Sequence, residues 1–261
     1  MGPQRPAALM TILARDRHYH AACFDEINTA IEALLKASAS LKPRSAGTLV
    51  GVCFNAHAVG VHEIPPNAII FNMENVGIQI PPTMFEGHEI WDFSARNVVS
   101  WLAAGRKAIH VPIGFHPSMI RFQPRPWHGR DIDVVFSGSS NARRDTLIHK
   151  LRSRGLHVVM ANGYAQERDQ MLARAKVAIN VLFYEDAVFP VLRSAHLIAN
   201  RIITISEKAP EVPDWISPVP YEGIADRVES IVRHASAREA EEMSHRAFEA
   251  FTQHPLEIPA S

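Results

Sequence analysis

Short apolar runs and longer segments with helical periodicity alternate along almost the whole of this 261-residue chain. The run at 132–136 is rich in β-branched and aromatic residues, and the segment at 142–154 that follows it carries apolar residues at helical spacing. The same two patterns recur before and after this point. Parallel strands need a long crossover connection, so this alternation predicts parallel sheets covered by helices, and therefore the α/β class.

The alternation also predicts the limits of individual elements. Predicted strands lie at 8–13, 48–54, 68–72, 88–93, 107–111, 132–136, 156–160, 177–182 and 202–205. Predicted helices lie at 24–37, 95–104, 142–154, 165–174, 188–200 and 224–251. Residues 116–130 interrupt the pattern, because they contain Pro117, Pro124 and Pro126 and show no apolar periodicity. We interpret this segment as a linker.

The linker divides the chain into two predicted Rossmann-like domains that face each other across a cleft. We expect a compact N-terminal domain at 1–115 and a C-terminal domain at 131–237. The last segment, 238–261, is expected to form a helix that either crosses back onto the first domain or supports a homodimer. Ligands of such folds bind at the carboxyl ends of the strands.

Composition excludes several classes of protein. The 27 basic residues are balanced by 27 acidic ones, so no global field attracts nucleic acid. No apolar run reaches the ~18 residues that a membrane span needs, and the run at 7–14 fits a strand better than a signal peptide, which together favour a cytoplasmic protein. Cys23 and Cys53 lie in apolar segments, where buried reduced thiols are favoured over a disulfide.

A small-residue turn between a strand and a helix predicts an anion site. Gly138 and Ser139 follow the strand at 132–136, and their backbone N–H groups, with the helix dipole, favour a phosphate. Arg143 and Arg144 add guanidinium donors one turn into the helix. Glu207 follows a later strand, where its carboxylate is placed to accept from ribose hydroxyls. Phosphate and ribose sites together predict a bound nucleotide.

Two further polar residues are predicted on the donor side of this site. Asn180 ends a strand at the expected cleft, and its alternative role is to satisfy a turn. Arg193 is a further candidate for the phosphates, and its alternative role is to pair with nearby acidic side chains. Neither G-x-G-x-x-G nor G-x-x-x-x-G-K-[ST] occurs, so neither a dinucleotide cofactor nor a P-loop ATPase is expected.

A general base is expected from the N-terminal half. Glu74 and Asp92 each end a predicted strand, and His57 and His110 are alternatives with a pKa near neutrality. The acidic pair in 131–133 has the bare D-x-D pattern of metal-dependent transferases but starts a strand, so no metal site is predicted.

Several motifs in order resemble a bacterial glycosyltransferase-like group. They are Ile69-Ile70-Phe71-Asn72-Met73-Glu74-Asn75, Trp91-Asp92-Phe93-Ser94, His110-Val111-Pro112-Ile113-Gly114-Phe115, Asp133-Val134-Val135-Phe136-Ser137-Gly138-Ser139, Arg143-Arg144, Glu167-Arg168-Asp169, Ala175-Lys176, Asn180, Arg193, Leu197, Asn200 and Ser206-Glu207. The resemblance covers about 69–207 and is to the GT-B glycosyltransferases, including group 1 and CgeB-like spore-maturation members.

The resemblance implies a function as well as a fold. It implies two Rossmann-like domains, a nucleotide-diphosphate sugar bound in the C-terminal half, no cofactor and no required metal, and a role in polysaccharide biosynthesis. The expected reaction is transfer of a sugar to an acceptor hydroxyl on a glycan, lipid or protein. Pro190 stands about where such donor sites carry an acidic residue, so the alternative is an inactive module that binds nucleotide, glycan or protein.

Overall fold

The structure is a computed structural model that describes residues 13–14, 49–53, 68–161, 163 and 165–257. The chain divides into two compact units between Pro112 and Ile113, and the second unit extends to Leu256. Each unit contains a wholly parallel sheet; one described helix connects strands of the first sheet and several connect those of the second, which confirms the predicted α/β class.

The first unit contains a five-stranded sheet whose strands lie in chain order. The strands are β1 (Leu13–Ala14), β2 (Leu49–Cys53), β3 (Ala68–Asn72), β4 (Glu89–Asp92) and β5 (Lys107–His110). Helix α1 (Ala95–Ala103) connects the last two strands, and Ser94 caps its first turn by accepting from the Asn97 backbone N–H. Apolar side chains of this unit, among them Ile70, Ile90 and Trp101, form one buried cluster. The predicted helix at 24–37 lies outside the described residues.

The second unit contains a four-stranded parallel sheet in the order β7-β6-β8-β9. Its strands are β6 (Ile132–Phe136), β7 (Val158–Met160), β8 (Ala175–Asn180) and β9 (Ile203–Ser206). Its helices are α2 (Ala142–Ser153), α3 (Ala165–Leu172), α4 (Val191–Ala199), α5 (Ile224–His234) and α6 (Ala237–Thr252). These bounds agree closely with the predicted elements, except in the C-terminal tail.

Helices cover both faces of the second sheet. Val134 and Phe136 pack with side chains from α2, α5 and α6, whereas Val135 packs in a separate cluster with side chains from α3 and α4. Within the sheet, the chain passes from β6 to β7 on one flank of β6, and the later strands β8 and β9 lie on the opposite flank. This reversal between β6 and β8 is a topological switch point, where open α/β sheets bind ligands beyond the carboxyl ends of the strands.

Two segments differ from the expectations drawn for them. The segment 116–130, predicted as a linker, belongs to the second unit, where Asn200 Oδ1 accepts from the backbone N–H groups of Arg121 and Phe122 at 2.6 and 3.0 Å. The single helix predicted at 224–251 is two helices, because Ser236 starts a new one with a capping box to Glu239.

The last helix packs within the second unit. Ala240 belongs to its core, and Phe251 lies with its ring centroid 4.4 Å from that of Trp215. Within the described ranges, no helix combines the length and the apolar character needed to cross a bilayer.

Candidate functional site

The predicted donor-side residues lie along the carboxyl edge of the second sheet. Gly138 follows β6, Asn180 ends β8 and Glu207 follows β9, and parallel pairing places these strand ends side by side. The backbone N–H of Glu207 donates to the Asn180 carbonyl at 2.9 Å, so the last two residues are direct neighbours. The edge includes the switch point between β6 and β8, where a ligand site is expected.

The loop after β6 has the features of an anion site. Gly138 has a φ of +147°, and a Cβ there would lie 2.8 Å from Nη2 of Arg193, so glycine allows a guanidinium to approach the backbone closely. Within the described part of the chain, the backbone N–H groups of Ser139 and Ser140 donate to no protein acceptor. Free amide donors beside a guanidinium favour phosphate oxygens.

Arg193 is held at this loop from the first turn of α4. Its Nη1 donates to Asn180 Oδ1 at 2.8 Å, and its guanidinium lies 5.5 Å from the Phe136 ring centroid. Asn180 is buried, and its own Nδ2 donates to Ser194 Oγ at 2.6 Å. The amide therefore presents its oxygen to Arg193, which orients a cation beside the Gly138 loop.

Arg143 and Glu207 bind each other. Arg143 Nη1 donates to Glu207 Oε2 at 2.8 Å, and Nη2 donates to Oε1, which makes the pair bidentate. The Leu182 backbone N–H also donates to Glu207 Oε2, at 2.9 Å. The guanidinium carbon lies 3.9 Å from the centre of the Tyr221 ring, and the Tyr221 hydroxyl donates to the Arg143 carbonyl at 2.6 Å.

Arg144 has a different place from the one expected. Its buried guanidinium donates to three carbonyl oxygens: Ser139 at 2.7 Å, Val181 at 2.7 Å and Leu182 at 3.2 Å. Burial, together with the nearby Arg143 cation, lowers the pKa of Arg144 to about 10, yet the side chain stays charged at neutral pH. These contacts indicate that Arg144 supports the loops of the site, in place of the predicted phosphate contact.

We expect Arg144→Ala to lower the free energy of unfolding by about 3 kcal/mol, because two buried carbonyl groups and a partly buried one would lose a charged donor. Urea unfolding of the second unit checks this value. Arg227→Ala is the matched control, since Arg227 is exposed on α5 and its loss should change stability by less than about 0.5 kcal/mol. Equal stabilities of the two variants would contradict the supporting role.

In the first unit, Asp92 is the centre of a buried hydrogen-bond network. Its Oδ2 accepts from Asn72 Nδ2 at 2.6 Å and from Trp101 Nε1 at 2.8 Å, and its Oδ1 accepts from the Ser94 backbone N–H at 2.9 Å and from Asn97 Nδ2 at 3.0 Å. Burial raises the pKa of Asp92 to about 6 even though these donors lower it. With 0% exposure, Asp92 is placed for support, which corrects the catalytic role predicted from its position at a strand end.

The same network holds the backbone of Glu74. Asn72 Oδ1 accepts from the Glu74 N–H at 3.1 Å, and the Glu74 carbonyl accepts from Asn72 Nδ2 at 2.9 Å and from Asn97 Nδ2 at 2.8 Å. Asp92 therefore orients two amides that fix Glu74. Burial raises the pKa of the half-buried Glu74 carboxyl to about 7, and a hydrogen bond from Gln79 opposes the shift. A carboxyl of this pKa suits a general base at neutral pH.

The other candidates of the sequence have simpler outcomes. His57 lies outside the described residues, and His110 Nε2 lies 3.1 Å from the Phe93 carbonyl at an exposed position. Asp131 pairs with Arg174 through a 2.9 Å bond to Nε, and Asp133 with Lys176 at 2.8 Å. Among the described residues, no group of three or more His, Cys, Asp or Glu side chains is placed to hold a metal ion.

Sequence reasoning missed three residues that shape these sites. Tyr221 holds Arg143, while Asn72 and Asn97 hold Glu74. Asn72 ends a predicted strand beside the two acids and was therefore open to detection, whereas Tyr221 is 78 residues from Arg143 with no local signal. Searches against protein-family models and against curated proteins found no match to this chain.

Proposed function

We propose that this protein is a GT-B-like glycosyltransferase that transfers a sugar from a nucleotide-diphosphate sugar to an acceptor hydroxyl without a metal ion. The observation that carries the proposal is the edge of the second sheet, where Arg193 and free backbone N–H groups meet at the Gly138 loop and Glu207 lies two strands away. The proposal includes the GT-B arrangement of two Rossmann-like domains, and the motif resemblance over 69–207 supports it.

The chemistry of the proposed reaction matches what the second unit offers. Departure of a nucleoside diphosphate leaves negative charge on its terminal phosphate, which must be stabilised by fixed donors. Arg193 supplies a full positive charge, and the Ser139 and Ser140 N–H groups supply dipoles that need no reorganisation. In this reading Arg193 performs the charge neutralisation that a metal performs in other transferases.

The first unit offers a base for the acceptor. Glu74 has a pKa raised to about 7 by burial, so near neutral pH a large fraction of its carboxyl groups are ionised and able to accept a proton. Its backbone is held by Asn72 and Asn97, which restricts the directions in which the side chain can point. We assign Glu74 the role of general base and Asp92 the role of positioning it.

A second candidate function is favoured by one observation at the start of α4. Pro190 is the residue before the helix, and it provides no side-chain cap there. The resemblance to GT-B transferases implies an acidic donor-site residue at about this point, so a proline here favours a module that binds nucleotide or glycan without turnover. Slow hydrolysis of the donor separates the two functions, because many active transferases show it and a pure binder does not.

Calorimetric titration with UDP, GDP, ADP, CDP and TDP, each in magnesium and again in EDTA, tests the nucleotide site. We expect one diphosphate to bind in both buffers and Arg193→Ala to weaken it by about ten- to one-hundred-fold, the range for a charged hydrogen bond. Arg227→Ala is the matched control and should leave the affinity unchanged. If none of the five diphosphates binds, the proposal is wrong.

A further inference from the structure

Arg143 is held on two sides by the protein. Its paired amino groups face the two oxygens of Glu207, and one face of its guanidinium lies on the Tyr221 ring at 3.9 Å. The Tyr221 hydroxyl fixes the Arg143 carbonyl as well, so the residue is anchored at both ends. Of the side-chain surface, 20% stays exposed, and a further ion pair, between Nε and Glu185, is long at 3.7 Å.

This arrangement leaves Arg143 poorly suited to a phosphate. A phosphate is bound by the in-plane donors of a guanidinium, and Glu207 occupies the paired donors of Arg143 while it neutralises the charge. The face opposite Tyr221 is flat and carries no ring from the described part of the chain. Flat guanidinium faces stack on planar rings, and the base is the planar ring of a nucleotide.

The order of contacts along the sheet edge fits the order of groups in a nucleotide. Arg143 pairs with Glu207, Glu207 bonds to the Asn180 carbonyl, and the Asn180 side chain bonds to Arg193 beside Gly138. If the phosphates lie at Arg193 and the ribose at Glu207, the next residue in this series of contacts is Arg143. A nucleotide places its base there, beyond the ribose and away from the phosphates.

We propose that Arg143, supported by Tyr221 and Glu207, is the platform on which the nucleobase stacks, and is therefore not a phosphate ligand. The inference rests on the proposed function, because it concerns the same nucleotide. It assigns to Arg143 the extra binding free energy that a nucleotide has over a bare diphosphate. Tyr221 is a positioning residue in this assignment, since it acts on the base through Arg143.

The test compares ligands with and without a base on the full chain. Calorimetry is run with the nucleoside diphosphate that binds best, with inorganic pyrophosphate and with ribose 5-phosphate. Arg143→Lys keeps the positive charge and removes the planar face. We expect this variant to bind the nucleoside diphosphate roughly ten-fold more weakly, the scale of a stacked cation, and pyrophosphate within about two-fold of wild type.

Tyr221 supplies a second pair of variants in case Arg143→Lys does not fold. Tyr221→Leu removes the ring beneath Arg143 and should also lower affinity for the nucleoside diphosphate more than affinity for pyrophosphate. Tyr221→Phe keeps the ring and is the matched control, with the preference for the base largely retained. Circular dichroism of each variant confirms that it is folded.

Three outcomes overturn the inference and are distinct from one another. Equal weakening of pyrophosphate and nucleotide by Arg143→Lys would make Arg143 a phosphate ligand and leave the proposed function intact. Equal affinity of wild type for nucleotide and pyrophosphate would show that the base is not contacted. No binding of any nucleotide would remove the proposed function together with this inference.

Discussion

Replacing Asp92 by alanine is expected to lower the free energy of unfolding of the first unit by about 4 kcal/mol. The carboxylate has 0% exposure, and four donors from Asn72, Ser94, Asn97 and Trp101 point at it. In the variant these N–H groups would stay buried without an acceptor, at roughly 1–3 kcal/mol for each that finds no new partner. The two amides can turn to other partners, whereas the Ser94 and Trp101 N–H groups cannot.

Amide hydrogen exchange measures this effect unit by unit. The amides of β3 and β4 should exchange faster in Asp92→Ala, while those of β6 and β8 in the second unit serve as an internal reference. Glu86→Ala is the matched control, because the Glu86 side chain is 86% exposed and its ion pair with Arg106 is long at 3.9 Å. Unchanged exchange in β3 and β4 would show that the network contributes little to stability.

Asp92→Asn sharpens the same test. Asparagine has nearly the same shape, but it offers one oxygen and would direct an NH₂ group at two of the four donors. We expect it to be destabilised almost as much as the alanine variant. A stable Asp92→Asn protein would mean that volume, and not the hydrogen-bond acceptors of Asp92, matters at this position.

The sequence was sufficient to predict where the polar residues of both units lie. Asn180, Glu207, Glu74 and Asp92 each end or follow an apolar run, and parallel strands bring such ends to one edge of a sheet. This conclusion needs only strand limits and strand direction, and both follow from the alternation of patterns along the chain. The α/β class followed from the same information.

The roles of neighbouring residues were harder to predict, because they depend on side-chain direction. Arg143 and Arg144 are adjacent on α2, yet a helix turns by about 100° per residue, so one faces Glu207 and the other the buried carbonyl groups. Spacing in the sequence does not say which is which. Asp92 and Glu74 differ for a similar reason, since Trp101 and Asn97 come from a helix whose rotation decides which carboxyl group is covered.

The break between the two C-terminal helices was marked in the sequence by a capping-box pattern, but the prediction of a single helix followed the apolar periodicity instead. The residues 224–251 keep a helical period of apolar residues, which favours one helix. Ser236 followed by Glu239 is a capping-box pattern, and it begins a new helix because it satisfies backbone donors at that point. A local hydrogen-bonding motif therefore prevailed over periodicity.

If the proposed function is correct, replacing Glu74 by glutamine is expected to lower the rate of sugar transfer by about 100- to 10,000-fold, the usual contribution of a general base. Glutamine has nearly the same shape as glutamate and can still contact the neighbouring Gln79, but it lacks the carboxylate that accepts the proton. In wild type, kcat/KM should rise with pH as the carboxyl ionises, with a midpoint near its pKa of about 7. In the variant this rise should be absent, and Glu86→Gln, at an exposed position, should retain it.

The same substitution has an effect on stability that needs no substrate. Burial raises the pKa of Glu74 from 4.5 to about 7, so the folded protein binds the proton more tightly than the unfolded chain does. Between these two values the free energy of unfolding falls as the pH rises, because the buried charge is formed only at a cost. Above pH 7 both states are ionised, and the cost is constant.

Glu74→Gln should therefore be more stable than wild type by about 3 kcal/mol at pH 8, and by less than about 1 kcal/mol at pH 5. Asp92 also titrates near pH 6, but it is present in both proteins and cancels in the difference. Urea unfolding gives the free energies of unfolding of both proteins at the two pH values. If the difference between variant and wild type is the same at both, Glu74 has an ordinary pKa. Such a carboxyl would be a weaker base than the proposed reaction requires, so this measurement bears on the mechanism before any acceptor is known.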